Sequence, residues 1–154
     1  MHSADVSSFQ NICILGATGS IGLSTLDVVE RHPDRYRVHS LTAFDKSDAL
    51  FDLCLRFKPE YAVLVDVDAA EKLEAKCLQM GLSTKILAGS ESLEFVASHD
   101  DVNIVMAAIV GAAGLQANLS AARKGKKILL ANKESLVMSG ELFMDEVEKW
   151  LSVW

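Results

Sequence analysis

Apolar residues in this chain fall into short unbroken runs separated by longer stretches with helical spacing. The first run, Ile12-Cys13-Ile14-Leu15, has the length and composition of a buried strand. Ser20 to His32 follows with Ile21, Leu26, Val28 and Val29 on one helical stripe and stops before Pro33. Arg37 to Phe44 predicts a second strand. Ser47 is placed to cap a helix whose apolar positions run from Leu50 through Phe57 to Pro59. Tyr61–Val65 predicts a strand, Ala69–Met80 a helix ended by Gly81, and Lys85–Ala88 a strand ended by Gly89. Ser90–His99 predicts a short helix and Asn103–Val110 a long apolar strand. A helix over Leu115–Lys124 stops at Gly125, and Ile128–Ala131 forms one more strand. A last helix begins at Ser135 or Ser139 and runs to Trp154, carrying Leu142, Phe143, Val147, Trp150 and Leu151.

Strands that are apolar on both faces and alternate with helices are the pattern of a parallel sheet covered on both sides. The expected fold is α/β: a Rossmann-type, doubly wound, mainly parallel sheet. Residues 1–10 form a polar leader expected to be flexible, and 11–154 one domain. With 154 residues, half of them hydrophobic, the chain is long enough for a single core. No stretch approaches the length of a membrane span, and the N-terminus lacks a signal-peptide pattern. Three cysteines without a C-x-x-C pair fit reduced core thiols, and with them a cytoplasmic protein. A net charge of -6 argues against a nucleic-acid partner.

The first run leads into Gly16-Ala17-Thr18-Gly19-Ser20-Ile21-Gly22, a strand, a glycine turn and a helix start in one short span. Such a turn lets backbone approach a diphosphate: Gly16 permits the turn, Gly19 has no Cβ to block the phosphates, and Gly22 lets the helix sit near the strand. Free N–H groups and the helix dipole then favour the anion. Glycine turns also close ordinary strand–helix connections, so the pattern alone is a weak signal. Ligands of such folds lie beyond the carboxyl ends of the strands. After the second strand come Phe44-Asp45-Lys46-Ser47, which send mixed signals. Asp45 would accept from a ribose 2′-OH, as in NAD sites, whereas Lys46 and Ser47 would hold a 2′-phosphate. The same residues equally suit a plain turn and cap. Ala107 to Gly114 offers small residues either to a flat ligand or to close helix–strand packing. Asn132-Lys133-Glu134 abuts the last strand; Lys133 suits a phosphate or carbonyl, Asn132 an amide or ribose, and Glu134 a hydroxyl. A capped helix start with a solvated lysine is the alternative. The four histidines lack ligand spacing, the acidic pairs Asp66/Asp68 and Asp100/Asp101 read as solvated turn residues more than as a metal cradle, and Met106 and Met138 as core fillers. There is no Y-x-x-x-K pair of the short-chain dehydrogenase kind.

Three blocks carry a more specific signal: Gly16 to Gly22 with Ser24 to Val29, Met106 to Leu115, and Ile128 to Val137. Together, and in this order, they closely resemble the 1-deoxy-D-xylulose 5-phosphate reductoisomerase family, over nearly the whole chain from Asn11. The resemblance implies an oxidoreductase that rearranges its phosphosugar substrate's carbon skeleton and reduces the resulting aldehyde with NADPH, using a divalent metal, Mg2+ or Mn2+. The product is 2-C-methyl-D-erythritol 4-phosphate, in non-mevalonate isoprenoid synthesis. It implies cofactor contacts at Thr18, Gly19, Ser20, Ile21, Asn132 and Glu134, and a substrate contact at Lys133. Many members have Gly-Lys-Asn where this chain has Phe44-Asp45-Lys46, so Lys46 takes the 2′-phosphate role only after a one-residue shift. The family continues into a catalytic domain opened by an Asp-Ser-Glu-His run that supplies metal-binding carboxylates. No such run occurs here, so no catalytic or metal residue is assigned in this chain, and the expectation is an inactive NADPH-binding domain of an enzyme that is homodimeric when complete. The alternative is a free-standing NADP(H)-binding module without catalysis.

Overall fold

The computed structural model describes residues 9–109 and 112–130. Eleven elements alternate along them: β1 (Gln10–Leu15), α1 (Ser20–Arg31), β2 (Tyr36–Ala43), α2 (Ser47–Phe57), β3 (Tyr61–Leu64), α3 (Val67–Gln79), β4 (Lys85–Ala88), α4 (Ser90–Ala97), β5 (Ile104–Ala107), α5 (Ala112–Arg123) and β6 (Lys127–Leu130). The strands form one sheet in the order β4-β3-β2-β1-β5-β6, every pair parallel. The expected doubly wound Rossmann-type architecture is therefore present.

Side-chain alternation along β1 explains why both faces are covered. Ile12 and Ile14 point into a core that includes Leu26 of α1, Leu50 of α2 and Leu73 of α3. Cys13 and Leu15 point the other way, into a core with Leu93 of α4 and Ala117 and Ala121 of α5. All four β1 side chains are fully buried, each aliphatic one contributing about 1.5–3 kcal/mol. Met106 fills the first of these cores, as expected. All three cysteines are free and buried. Burial pushes the thiols of Cys13 and Cys54 up to about 12, and Cys54 lies against Cys77 across the α2–α3 contact. These are inert core groups.

Several boundaries move. β1 begins at Gln10, one residue inside the expected leader, because Gln10 pairs with Tyr36 of β2. The Gln10 N–H also donates to the Arg35 carbonyl. α3 starts at Val67 because the Asp66 carboxylate accepts from the Ala69 N–H at 2.9 Å; Asp66 is thus a cap, not merely a turn residue. The cap position of α2 is Lys46, and Ser47 is the first helical residue instead of the cap. β5 is four residues long, shorter than its apolar run, because the chain leaves the sheet at Ala108 to enter the next connection. α5 starts at Ala112, so Ala112, Ala113 and Gly114 form its first turn. The expected leader up to Ser8, the end of the last strand at Ala131, the Asn132-Lys133-Glu134 block, Met138 and the final helix lie outside the described residues.

Candidate functional site

Strand order reverses between β1 and β5: from β1 the chain builds outward through β2, β3 and β4, then returns to place β5 on the other side. The connections that leave β1 and β5 there lead to helices on opposite faces of the sheet, which is where open sheets of this kind bind ligands. The glycine turn leaves β1 there.

Hydrogen bonds from both neighbouring strands fix the turn. The Gly16 N–H donates to Thr42 Oγ1 at 3.0 Å, and the Ala17 N–H to the Thr42 carbonyl at 2.7 Å. On the other side, the Ala108 N–H donates to the Leu15 carbonyl at 3.0 Å. Gly16 has φ +88°, a left-handed backbone that a side chain resists. A Cβ on Gly22 would stand 2.3 Å from the Gly16 carbonyl oxygen and 2.7 Å from the Ala17 Cα, so glycine is required for α1 to seat on the turn. Gly114 plays the same part in the first turn of α5, where a Cβ would meet the Ile109 carbonyl oxygen at 2.4 Å. Of the two uses considered for the small residues of that segment, close packing is the one its glycine serves.

Gly19 differs from the other two. It is the N-cap of α1 with φ -85°, a conformation open to any residue, and a Cβ there would approach nothing nearer than the Gly16 oxygen at 3.9 Å. Neither backbone strain nor internal packing asks for glycine at this position. Its missing side chain leaves open space directly over the start of α1. No side chain caps that helix and no acidic residue sits in its first turn, so its leading N–H groups suit an anion. A cradle that a Cβ would fill, above an uncapped helix start, fits the diphosphate of a dinucleotide.

The remaining expected residues distribute around this edge. Thr18 is half-buried in the turn, Ser20 is exposed at the head of α1, and Ile21 packs half-buried against the core. Lys46 is exposed at the N-cap of α2, four positions past Thr42, the residue that ties β2 to the turn. Phe44 is 64% exposed beside it. Asn132, Lys133 and Glu134 lie outside the described residues.

At the opposite edge, the amino ends of the strands, the structure assembles a group that sequence spacing conceals. His39 of β2 and His99 of the α4–β5 turn have ring centroids 4.6 Å apart, packed with Tyr61 and Phe95. Burial, then the nearby His99, holds the His39 imidazole below its ordinary range. Asp101 completes the only group of three or more potential metal-ligating side chains found among the described residues. Two imidazoles and one carboxylate are not the all-oxygen set that Mg2+ favours.

The family model for 1-deoxy-D-xylulose 5-phosphate reductoisomerase matches residues 12–140. The chain belongs to this family. A reductoisomerase from Methylobacillus flagellatus is 59% identical over 140 residues, covering 91% of this chain and 35% of its own length. One from Pseudomonas fluorescens is 58% identical over 144 residues, covering 94% of this chain and 36% of its own. Among solved structures, DOX-P reductoisomerase in complex with NADPH, fosmidomycin and magnesium superposes with a TM-score of 0.76 at 50% identity, covering 91% of this chain and 34% of that one. The Zymomonas mobilis reductoisomerase in complex with NADPH gives a TM-score of 0.76 at 43% identity, covering 93% of this chain and 37% of that one. The chain thus spans about a third of the length of the reductoisomerases it matches. Among the described residues, no helix is long and apolar enough to cross a membrane.

Proposed function

We propose that this chain is the NADPH-binding part of a 1-deoxy-D-xylulose 5-phosphate reductoisomerase, acting in the conversion of 1-deoxy-D-xylulose 5-phosphate to 2-C-methyl-D-erythritol 4-phosphate. The observation that carries the reading is Gly19: a glycine with no conformational or packing reason, at the uncapped head of α1, beside the strand-order reversal. Family membership and the NADPH complexes of two similar structures support the choice of ligand.

In this reading the N–H groups at Gly19, Ser20 and Ile21 bind the diphosphate, with the Thr18 side chain beside them. Thr42 keeps the turn from shifting when the anion arrives, because it holds both Gly16 and Ala17. Lys46 faces the 2′-phosphate with its charge. Asn132 and Glu134 serve the cofactor and Lys133 the substrate, by their match to the family's motif. NADPH supplies a hydride to the aldehyde formed by the skeletal rearrangement. The family's Mg2+ or Mn2+ has no suitable oxygen set among the described residues. The partner is a small phosphosugar, with no role for nucleic acid or membrane, consistent with the acidic charge balance. The setting is a cytoplasmic homodimer.

Calorimetric titration with NADPH and NADH at matched salt tests this. The expected result is tighter NADPH binding, with Lys46→Ala weakening NADPH about tenfold and leaving NADH unchanged. Equal or tighter NADH binding would assign the ribose pocket to Asp45 and overturn the cofactor choice.

A further inference from the structure

The cluster at the amino edge of the sheet is built around a buried imidazole with one nitrogen unpaired. β2 carries one extra residue against β1: Ile12 pairs with Val38 and Cys13 with Ser40, so His39 is the bulged position. The bulge sends the His39 side chain into the sheet edge, where only 4% of it remains exposed. Its Nδ1 lies 2.7 Å from Ser40 Oγ, while its Nε2 is buried without a hydrogen-bond partner. The nearest carboxylate oxygen, Glu60 Oε2, stands 3.5 Å away, long for a hydrogen bond. A buried imidazole nitrogen left unpaired is costly, and such exceptions in native structures call for a cause.

His99 supplies the second nitrogen. Its Nδ1 accepts the Asp101 backbone N–H at 3.1 Å, a long hydrogen bond that an ion at this nitrogen would have to replace, the exposed Asp101 N–H turning to water. Asp101 Oδ2 lies 3.9 Å from the same nitrogen. Ligating atoms of His39, His99 and Asp101 all fall within 4.8 Å of one another. His39 and Asp101 border an open groove of about 450 Å3 lined also by Asn11, Glu60 and Lys85. We propose that His39, His99 and Asp101 bind a divalent transition metal ion of the Zn2+ class, with Glu60 or water as fourth ligand.

Donor chemistry selects the ion. Two imidazoles and a carboxylate suit Zn2+, whereas Mg2+ and Ca2+ require oxygen. Net charge contributes little to the attraction, because Glu60 and Asp101 are opposed by Lys85, 4.0 Å from Glu60, and by Lys126 near His39. Nitrogen coordination therefore has to carry the binding. Ser40 Oγ, 2.7 Å from His39 Nδ1, can accept that atom's proton and leave Nε2 free for an ion, the support that metal-bound histidines usually keep. The site lies at the opposite end of β1 from the glycine turn, so it is separate from the nucleotide site and from any ion used with substrate. Its ligands come from β2 and from the turn before β5, so an ion would clamp two segments that are distant in sequence.

The test uses the untagged 154-residue chain, titrated with Zn2+ alone by calorimetry. We expect one ion per chain and a higher melting temperature with Zn2+. His99→Gln and Asp101→Asn change loop residues outside the core, and each is expected to weaken binding ~10–100-fold and abolish the thermal shift. His39→Gln should do the same. Co2+ should give the intense visible absorption of a four-coordinate ion, and excess Mg2+ should not displace Zn2+. Absence of Zn2+ binding, or unchanged affinity in both His99→Gln and Asp101→Asn, would overturn the proposal. So would loss of binding in His2→Ala, or a sulfur-to-cobalt charge-transfer band that points to the cysteines.

Discussion

At the carboxyl edge of the sheet the chain is organised by backbone: the Gly16 and Ala17 N–H groups on Thr42, the Ala108 N–H on Leu15, and Gly22 and Gly114 pressed against carbonyl oxygens. At the amino edge it is organised by side chains. Asn11 Nδ2 donates to the Asp101 carbonyl at 2.9 Å, the Asn11 N–H to Asn103 Oδ1 at 2.8 Å, and Thr84 Oγ1 to the Pro59 carbonyl at 2.7 Å. The rings of His39, Tyr61, Phe95 and His99 pack tilted and edge-to-face between them. A backbone edge presents N–H groups at fixed positions and suits a ligand recognised by its phosphates. A side-chain edge holds strands together and leaves nitrogen and oxygen donors that suit an ion. Mutations should therefore act differently at the two ends.

The largest effect belongs to the helix seats. Gly22→Ala puts a Cβ within 3.0 Å of three backbone atoms, none of which can swing aside as a side-chain tip would. Overpacking of this kind costs about 1–3 kcal/mol and sometimes more. For a domain of this size that lowers the melting temperature by roughly 2–12 °C, measured by calorimetry or circular dichroism. Gly114→Ala should follow within about 1 kcal/mol, since its clash with the Ile109 oxygen is similar. If either variant melts with the wild type, the two helices do not sit on their turns as described.

The contrast between the edges also accounts for what was legible in the sequence. Apolar runs such as Ile12–Leu15 and Ile104–Met106 are long enough, and apolar enough on both faces, to imply a parallel sheet, and the sheet is there. The glycine turn was legible because its function depends on residues contiguous in the chain. The parts of Gly16 and Gly22 were legible from their places in the turn, and the left-handed Gly16 and the contacts that a Gly22 Cβ would make bear them out. Helix starts were misplaced where a cap lay earlier than the apolar stripe, as at Asp66, or where the cap position held an unremarkable residue, as at Lys46. The His39–His99 pair was invisible for another reason. Neither residue has a ligand at helical spacing, and their approach depends on the β2 bulge and on the return of the chain to β5, neither of which leaves a local pattern. A histidine in the middle of a strand was the one available signal.

Thr84→Val tests the amino edge with an intermediate effect. The hydroxyl is buried and satisfies the Pro59 carbonyl, so its loss leaves an acceptor unpaired and costs about 1 kcal/mol. NADPH affinity should not change, because the site lies at the other end of the strands. A variant that weakened nucleotide binding as well as stability would mean that the two edges are coupled. Gly19→Ala is the converse. Its Cβ meets nothing closer than 3.9 Å in a conformation that alanine adopts freely, so stability should stay within about 0.5 kcal/mol. Calorimetry should nevertheless record NADPH binding at least about tenfold weaker, since the methyl occupies the space assigned to phosphate. Unchanged affinity would remove the observation on which the nucleotide reading rests.

The smallest effect is expected away from both edges, where α2 meets α3. Lys76 of α3 hydrogen-bonds the carboxylate of Asp48 in the first turn of α2, and that bond, more than the charge alone, holds Asp48 below the usual carboxylate range. A carboxyl group with a lowered folded-state pKa stabilises the protein above its unfolded value, and the contribution disappears as pH falls through the folded value. Asp48→Asn should thus melt slightly below wild type at neutral pH, and the two should converge in acid below the folded value. The Asp48 side chain is 86% exposed, so solvent and salt screen the pair, and added salt should close the gap at neutral pH as well. A gap as large as that of Thr84→Val would show that this exposed pair stabilises the α2–α3 contact as strongly as a buried hydrogen bond at the sheet edge. A gap that survived high salt would assign the effect to packing of the residue instead of its charge.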